Sequence, residues 1–242
     1  MSTAWPDTVL AVYVLCHPEK EAERFRRLMP HLEAVGIPAD RLRVCAPTWG
    51  TDLTVEQIFA NYSPFLARGG CPSFSFKAAN LTRGEISLAL NLQAAIVHAV
   101  RATEKEDGRR SVIILESDVW LRADFVPRLR DLLASAAGLA PNWDYISLSE
   151  GVGTRPPGCP VSYFAPEKAW LPPHEWVFRC TDSMLFSVDY LRRLSQTVLP
   201  FKECTDWEMN FQMMLHRGVA LWADPPMVEQ GTCYNRIESS LH

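Results

Sequence analysis

The sequence predicts an α/β domain in which helices flank a mostly parallel central sheet. Two observations lead to this prediction. Short runs such as residues 9–16 (VLAVYVLC) and 111–115 (SVIIL) are apolar on both faces, which is typical of interior strands in a parallel sheet. Segments with helical periodicity separate these runs, and this alternation favours β-α-β units. The 242 residues contain no internal repeat and no linker, so residues 1–242 are predicted to form one domain.

The first three predicted elements form a β-α-β unit. The strand at residues 9–16 is rich in β-branched residues, which favour extended backbone. Residues 19–35 place their apolar side chains on one helical face, although Pro30 should kink or break this helix. Gly36 then ends the helix, and residues 42–45 form a second strand.

Residues 47–79 are predicted to be irregular, because glycine and proline punctuate them and no strong period runs through them. The helical candidate within this stretch is short, Val55–Asn61. A clear helix follows: Thr82 and Glu85 form a capping box, and apolar residues continue one face as far as Val100.

The second half of the chain continues the alternation of strands and helices. The strand at residues 111–115 ends in three polar residues, and Asp124 is predicted to cap the helix after it. Residues 151–173 form a loop rich in glycine, proline and aromatic side chains. The remaining predicted elements are strands at 143–148, 176–179, 184–188 and 219–223, and helices at 189–198 and 205–216.

Charge and composition exclude several classes of protein. The formal net charge is −4, from 24 basic and 28 acidic residues, so no basic surplus exists to neutralise a nucleic-acid backbone. The longest apolar run is far shorter than the ~20 residues of a membrane span. The N-terminus has no signal-peptide pattern, and the seven cysteines include no C-x-x-C pair. We therefore expect a cytoplasmic protein with reduced cysteines, no zinc site and no nucleic-acid partner.

Two acids follow the third predicted strand. Glu116 and Asp118 flank Ser117 at the carboxyl end of residues 111–115. Ligands of open α/β sheets bind outside the carboxyl ends of strands, and hard cations such as Mn²⁺ and Mg²⁺ prefer oxygen ligands. The pattern predicts a metal site formed by Asp118 and Glu116. The alternative is a turn with exposed acids, or with Asp118 as its cap.

A second acidic pair, Asp206 and Glu208, lies at the start of the helix predicted at residues 205–216. Thr205 and Glu208 match a capping box, which gives Glu208 a structural explanation. Asp206 has none, and a carboxylate beside a tryptophan can have a raised pKa and act as a general base. Asp206 is therefore the first candidate for a catalytic base, and Glu208 the second.

Two further residues lie where a ligand can bind. Arg83 occupies the first turn of its predicted helix, where the helix dipole disfavours a cation. This position indicates a nearby anion such as phosphate. The alternative is an ordinary surface arginine. His17 stands at the end of the first strand. The sequence contains no Walker A, G-x-G-x-x-G, G-x-S-x-G or H-E-x-x-H pattern, and its six histidines show no metal-ligand spacing.

The order of these motifs resembles glycosyltransferase family 25, which includes bacterial lipooligosaccharide galactosyl- and glucosyltransferases and the collagen galactosyltransferases. The family's L-x-x-G-E-I-G-C-A-L-S-H stretch corresponds to residues 81–92 (LTRGEISLALNL), and its I-L-E-D-D-V corresponds to residues 114–119 (ILESDV). The other matches, in chain order, are residues 12–17 (VYVLCH), Glu23-Arg24, Gly36-Ile37, residues 46–50, Trp143-Asp144 with Leu148, Asp206, and Pro225-Pro226 with Gln230. The departures from the pattern are Cys16-His17 for Asn-Leu, Ser117 for Asp, and Asn91-Leu92 for Ser-His.

The resemblance implies the GT-A fold of nucleotide-sugar transferases and a metal-assisted, inverting hexosyltransferase. The donor would be a nucleotide-sugar, a UDP-hexose, with Mn²⁺ (or Mg²⁺) as the cofactor. The acceptor would be a glycan or glycoconjugate, as in lipopolysaccharide biosynthesis. The alternative is a catalytically weak or inactive relative that binds a nucleotide-sugar or glycan without transfer, and Ser117 motivates it. A nucleotidyltransferase is disfavoured, because no glycine-rich basic loop lies near the N-terminus.

The resemblance also implies roles at the donor site. Asp118 corresponds to the metal-binding acid of the family, with Glu116 beside it. Arg83 would offset charge on the leaving diphosphate. Tyr13 and His17, near the end of the first strand, would face the nucleotide.

On the acceptor side, the resemblance implies a carboxylate that removes the proton from the acceptor hydroxyl. Asp206 is expected to play this part, and then Glu208. The loop at residues 151–173, with Tyr163, Phe164 and Trp170, would form a wall for the acceptor.

Overall fold

A computed structural model describes residues 4–67, 78–149, 168–172, 180–232 and 238. The strands are β1 Val9–Leu15, β2 Leu42–Val44, β3 Ser111–Glu116, β4 Val119–Leu121, β5 Tyr145–Ser147, β6 Lys168–Trp170, β7 Ser183–Ser187, β8 Ala220–Asp224 and β9 Val228–Gln230. The helices are α1 Ala22–Ala34, α2 Val55–Asn61, α3 Arg83–Ala102, α4 Phe125–Leu139, α5 Val188–Thr197 and α6 Thr205–Leu215.

The central sheet has the strand order β2-β1-β3-β7-β5-β8-β6 across the described residues. The pairs β1–β2, β1–β3 and β5–β8 are parallel, whereas β7 is antiparallel to both β3 and β5 and β6 is antiparallel to β8. Five strands therefore share one direction, which confirms the predicted α/β class and the mostly parallel sheet. Because β7 is reversed, its amino end lies at the same sheet edge as the carboxyl ends of β1, β3 and β5.

Hydrophobic cores cover both faces of the sheet, with α1 and α4 on one face and α3, α5 and α6 on the other. Alternate residues of one strand enter opposite cores: Ile113 packs towards α1 and α4, and Ile114 packs towards α3 and α5. This is why β1 and β3 are apolar on both faces, since neither face is in contact with water.

Most of the predicted elements are present within a residue or two of their expected bounds. Thr82 and Glu85 form the predicted capping box at the start of α3. Helix α1 runs through Pro30 instead of breaking there. The short strands β4, β6 and β9 were not predicted, and β6 lies inside the segment expected to be a loop.

The remaining expectations fall partly outside the described ranges. The strand predicted at 176–179 lies there, as does most of the loop at 151–173 with Tyr163 and Phe164. Cys16, Cys45, Cys180 and Cys204 are free thiols, and the other three cysteines also lie outside the described ranges. In the part of the chain that is described, no helix is long and apolar enough to cross a membrane.

Candidate functional site

A cleft opens at the sheet edge where the carboxyl ends of β1 and β3 meet. Glu116, Ser117 and Asp118 all line it, which brings together the two acids that the sequence predicts as metal ligands. Its volume is about 170 Å³. Other side chains around it come from the start of α1, the segment before α2, the first turns of α3, and β9 with the residues after it; among them are Glu21, Arg24, Trp49, Thr51, Ser87, Asn91, Gln230 and Thr232.

Asp118 is buried, with 3% of its surface exposed. Its Oδ2 accepts a hydrogen bond of 2.6 Å from Thr232 Oγ1. Its Oδ1 is buried, and among the described residues no donor reaches it. An unpaired carboxylate oxygen in a buried position costs free energy, so this atom is suited to a ligand that the protein itself does not supply.

The turn that carries Asp118 is fixed from two sides. From α1, Arg27 donates to the backbone oxygens of Ser117, at 2.9 Å, and Val119, at 3.1 Å. Its guanidinium also lies 3.6 Å from the centre of the Trp120 ring. After β9, the Gly231 N–H donates to the backbone oxygen of Asp118 at 2.7 Å. These contacts set the position of the carboxylate before any ligand arrives.

Ser117 takes part in a polar network at the rim of the cleft. Its hydroxyl donates to Glu21 Oε1 at 2.7 Å and accepts from Arg24 Nη1 at 2.9 Å. Glu21 Oε2 in turn accepts from the backbone N–H of His17 at 2.9 Å. The serine thus connects the carboxyl end of β3 to α1, and it brings the cation of Arg24 to the cleft.

Glu116 lies next to three other carboxylates. Its Oε1 accepts a 2.8 Å hydrogen bond from Thr181 Oγ1. Burial raises the pKa of Glu116 well above its usual range, and the negative charges of Asp118, Asp182 and Asp206 raise it further. The structure therefore brings Asp206, from the other half of the chain, into electrostatic range of the acids that follow β3. Negative charges that lie this close to one another favour a bound cation.

Asp182 completes this cluster from the amino end of the reversed strand β7. It is fully buried, and its carboxylate accepts hydrogen bonds from Ser149 Oγ at 2.6 Å and Ser183 Oγ at 3.2 Å. Burial raises its pKa to about 6, and the charge of Asp118 adds to the rise. Both effects disfavour the charged form of this acid.

Asp206 and Glu208 occupy the first turn of α6, but they differ in their surroundings. Asp206 is partly exposed, and its Oδ1 accepts from Trp207 N at 3.0 Å and Cys204 Sγ at 3.2 Å. Glu208 is buried, and its Oε2 accepts from the backbone N–H groups of Lys202 and Glu203, at 3.0 and 3.3 Å.

The capping box predicted for Thr205 and Glu208 is wrong. Helix α6 starts one residue earlier than the pattern required: its N-cap is Cys204, which makes no side-chain capping bond. Glu208 instead satisfies amides of the loop before the helix, and Thr205 Oγ1 accepts from Thr181 Oγ1 at 3.1 Å. Glu208 thus has a structural task, although not the predicted one.

Tyr13, His17 and Arg83 do not line the cleft with the acids. Tyr13 is buried in the core and its hydroxyl bonds to His98 Nδ1 at 2.8 Å. His17 lies near the rim, where its ring meets the Trp49 ring edge-on with 6.0 Å between the ring centres. Arg83 Nη1 donates to the backbone oxygen of Leu53 at 2.9 Å, so its guanidinium holds the segment before α2.

The cleft and the neighbouring group of acids also contain residues that the sequence did not assign to them. Arg24 was noted as part of a motif, but its pairing with Ser117 depends on how α1 packs against β3. Asp182 and Thr232 reach the site only through the reversed strand β7 and the short strand β9. No periodicity or spacing in the sequence signals such contacts between distant segments.

In the described part of the chain, the oxygen donors beside the cleft are few. Among the described residues, no three His, Cys, Asp or Glu side chains are placed to hold one metal together. Asp118, with a free buried oxygen, and Glu116 are two carboxylates beside an open cleft. This fits an ion such as Mg²⁺, which is usually bound by one or two carboxylates and takes its other ligands from water and substrate phosphates.

Comparisons with known proteins identify no family for the chain. No family model matches it, and no curated protein matches it. Among solved structures, it is similar to the crystal structure of mouse xyloside xylosyltransferase 1 in its apo form, with a TM-score of 0.40 and 11% identity over 88% of this chain and 83% of that chain. This similarity is too low to transfer a residue's role, and the predicted membership of glycosyltransferase family 25 stays a prediction.

Proposed function

We propose that the protein is a glycosyltransferase that moves a hexose from a nucleotide-sugar, a UDP-hexose, to a hydroxyl of a glycan or glycoconjugate. The observation that carries the proposal is the carboxylate cluster at the carboxyl edge of the sheet, with the buried, unpaired Oδ1 of Asp118 in the cleft. In a GT-A enzyme this is the edge where the donor diphosphate binds, which agrees with the general rule for open α/β sheets.

Three features of the cleft suit a diphosphate. Asp118 and Glu116 would hold Mn²⁺ (or Mg²⁺), which supplies positive charge to the leaving diphosphate when it is bound. Arg24 adds a cation at the rim. The amino end of α3, a helix of 20 residues, borders the cleft through Gly84, and the positive end of a helix dipole attracts anions.

The size of the cleft limits what it can enclose. At about 170 Å³ it is smaller than the ~300–1,000 Å³ of pockets that enclose a whole drug-sized ligand. We expect the described lining residues to contact the diphosphate and part of the hexose, and other segments of the chain to contact the rest of the donor and the acceptor.

Asp206 is the proposed base of the reaction. Its carboxylate would take the proton of the acceptor hydroxyl, the hydroxyl oxygen would form a bond to the anomeric carbon, and the bond from that carbon to the diphosphate would break. One displacement of this kind inverts the anomeric configuration. The assignment is supported by the electrostatic effect of Asp206 on the pKa of Glu116, the acid proposed to help hold the metal.

The proposal is tested by incubating the purified protein with a panel of nucleotide-sugars and measuring the released nucleotide, with Mn²⁺ or with EDTA. Metal-dependent release of one nucleotide from one donor is the expected result. Without an acceptor, a transferase usually releases nucleotide slowly by hydrolysis, so a mixed pool of glycans is added as a second arm. Absence of release in both arms, with no nucleotide binding, would contradict the proposal.

A second candidate is a relative that binds the donor but does not transfer the sugar. The hydroxyl of Ser117 favours it, because this residue stands where the family has a second acid and is engaged by Glu21 and Arg24. A thermal-shift panel of UDP, GDP and CMP with and without Mn²⁺ separates the candidates, because bound ligand raises the melting temperature. A metal-dependent rise in melting temperature, with no nucleotide release either with or without added glycans, would favour the protein that binds without transfer.

A further inference from the structure

A second cavity lies at the opposite edge of the sheet from the carboxylate cluster. It has a volume of about 750 Å³, which is in the range of pockets for small organic ligands. Its walls are the turns before β3, β5 and β8 and the start of α5, so it lies at the amino ends of the parallel strands. It shares no lining residue with the cleft at Asp118.

The charges around this cavity are mostly positive. Arg109, Arg192, Arg193 and Arg217 line it, against two acids, Asp144 and Asp189. The acids are engaged: Arg193 pairs with Asp144, and Arg192 Nη1 lies 2.9 Å from Asp189 Oδ1. Two arginines are thereby neutralised and two are left over, in a protein whose net charge is −4.

The two paired arginines are also fixed in place. Arg192 Nη2 donates to the backbone oxygens of Thr103 and Glu106, each at 3.0 Å. Arg193 Nη1 donates to the backbone oxygen of His216 at 3.3 Å. They form a rigid wall, whereas the guanidinium groups of Arg109 and Arg217 have no acceptor within the described parts of the chain. Both of these side chains are exposed.

Arg217 occupies a backbone position that favours glycine. It directly follows the C-cap of α6, His216, and has a φ of 50°. Its N–H bonds to Met214 O at 3.1 Å, and the N–H of Gly218 bonds to Met213 O at 2.9 Å, which is the Schellman pattern. Glycine is the usual residue at this left-handed position. Departures of this kind from local preference cluster at functional sites.

We infer that this cavity is a second binding site, for a small anion that presents phosphate or carboxylate oxygens. Arg109 and Arg217 supply the unpaired guanidinium groups, whose planar fork matches the oxygens of either group in pairs. Arg192 and Arg193 keep their own ion pairs and form one wall of the cavity. The inference does not depend on the proposed transferase activity, because the two cavities lie at opposite sheet edges.

Inorganic pyrophosphate and citrate are the probes, titrated separately by calorimetry at low ionic strength. Metal ions are removed beforehand on a chelating resin, and no soluble chelator is added, so that neither metal-dependent binding at the Asp118 cleft nor a competing carboxylate contributes. Saturable binding of pyrophosphate assigns the site to phosphate groups, and saturable binding of citrate assigns it to carboxylates. Arg217→Gly and Arg109→Ala should each weaken the binding by about 10- to 100-fold, as expected when a charge-assisted hydrogen bond is removed.

Two controls accompany these variants. Arg217→Gly relieves the left-handed backbone and should raise the melting temperature by about 2–4 °C, so its loss of binding cannot come from unfolding. Arg26→Ala removes one exposed arginine on α1 and should leave binding unchanged. Wild-type affinity in both cavity variants, equal loss in Arg26→Ala, or no saturable binding of either probe at millimolar concentration would each overturn the inference.

Discussion

Asp118 combines two features that a purely structural acid would not need together. One carboxylate oxygen is fixed by Thr232, and the other is buried without a donor among the described residues. The fixed oxygen orients the group, and the second is left for a ligand. The pKa of the neighbouring Glu116 is raised because this side chain is buried and, in addition, because of the negative charges of Asp118, Asp182 and Asp206.

Asp118→Asn is expected to abolish Mn²⁺-dependent binding of UDP. The amide keeps the shape of the side chain and can still accept from Thr232, but it loses the charge that holds the cation. Calorimetric titration of UDP with and without Mn²⁺ measures the effect. Glu116→Gln should weaken the metal-dependent part less, because Glu116 Oε1 already accepts a hydrogen bond from Thr181, whereas Asp118 Oδ1 has no donor among the described residues. Unchanged Mn²⁺-dependent affinity in Asp118→Asn would remove Asp118 from the metal site.

Asp206→Asn should lower kcat by about 10²–10⁴-fold while UDP affinity and stability stay near those of the wild type, as expected for a lost general base. Glu208→Gln is the matched variant on the same helical turn. It weakens two hydrogen bonds to backbone amides, so it should lower the free energy of unfolding by about 1–3 kcal/mol with less effect on turnover of the folded enzyme. If the two variants exchange these outcomes, Glu208 is the base and Asp206 is not.

Asp182 makes the stability of the protein depend on pH. Its pKa is raised from 3.8 to about 6, so the folded state holds its proton more tightly than the unfolded state does. Below about pH 4, the raised pKa contributes about 3 kcal/mol to the free energy of unfolding. This contribution is lost as the pH rises through about 6.

Asp182→Asn should therefore become more stable relative to the wild type as the pH rises from 4.5 to 7. Urea unfolding of both proteins at several pH values measures this difference. A stability difference that stays constant over the range, or one that changes in the opposite direction, would show that the pKa of Asp182 is not raised in the folded protein.

At the scale of elements, the small β4–β9 sheet positions the turn that carries Asp118. Gly231, directly after β9, approaches this turn closely: a Cβ atom there would lie 2.7 Å from the backbone oxygen of Asp118 and 2.5 Å from the Trp120 ring. The glycine thus allows Thr232 to reach the Asp118 carboxylate.

Gly231→Ala is expected to lower the free energy of unfolding by about 1–3 kcal/mol, the usual cost of overpacking, and to weaken Mn²⁺ binding by displacing Asp118. Gly138→Ala is the control. Gly138 lies in α4 with open space around its Cβ position, so the change should raise the free energy of unfolding by up to about 1 kcal/mol. Chemical denaturation compares the two, and a stabilised Gly231→Ala variant would refute this role of the β4–β9 sheet.

Elements with a long hydrophobic signal could be predicted from the sequence. Strands β1 and β3 are apolar on both faces because both faces are covered, and the capping box of α3 is a local pattern that needs no tertiary contact. The strands β4, β6 and β9 have three residues each, too few for alternation to be distinguished from chance. Pro30 did not break α1, because the packing of that helix outweighs the loss of one hydrogen bond.

The candidate site could be predicted only where it lies next to a strand in sequence. Glu116 is the last residue of β3 and Asp118 lies two residues beyond it, so the rule for open sheets applied to them. Asp182 belongs to the same cluster because β7 is reversed, and this reversal has no signature in the sequence. Arg83 lies in the expected first turn but bonds to the backbone of Leu53, because the segment before α2 folds over the start of α3.

The molecule as a whole separates charge between the two edges of its sheet. The acidic residues Glu116, Asp118, Asp182 and Asp206 gather at the carboxyl edge, and the arginine-lined cavity lies at the amino edge. The proposed reaction uses the acidic edge, where a cation and a diphosphate would compensate each other's charge. Anions that bind at the amino edge would contact arginine side chains and no metal ion.

If Asp118 supports metal-assisted cleavage of a nucleotide-sugar, the rate of nucleotide release from the best donor depends on both this residue and the metal ion. The rate is measured for the wild type and Asp118→Asn, each with Mn²⁺ and with EDTA, after confirming that both proteins have the same fold by circular dichroism. Rapid release is expected only in the wild type with Mn²⁺, and this expectation is specific to a metal ion held by Asp118. Release at the wild-type rate by Asp118→Asn, or an equal rate in EDTA, would contradict it.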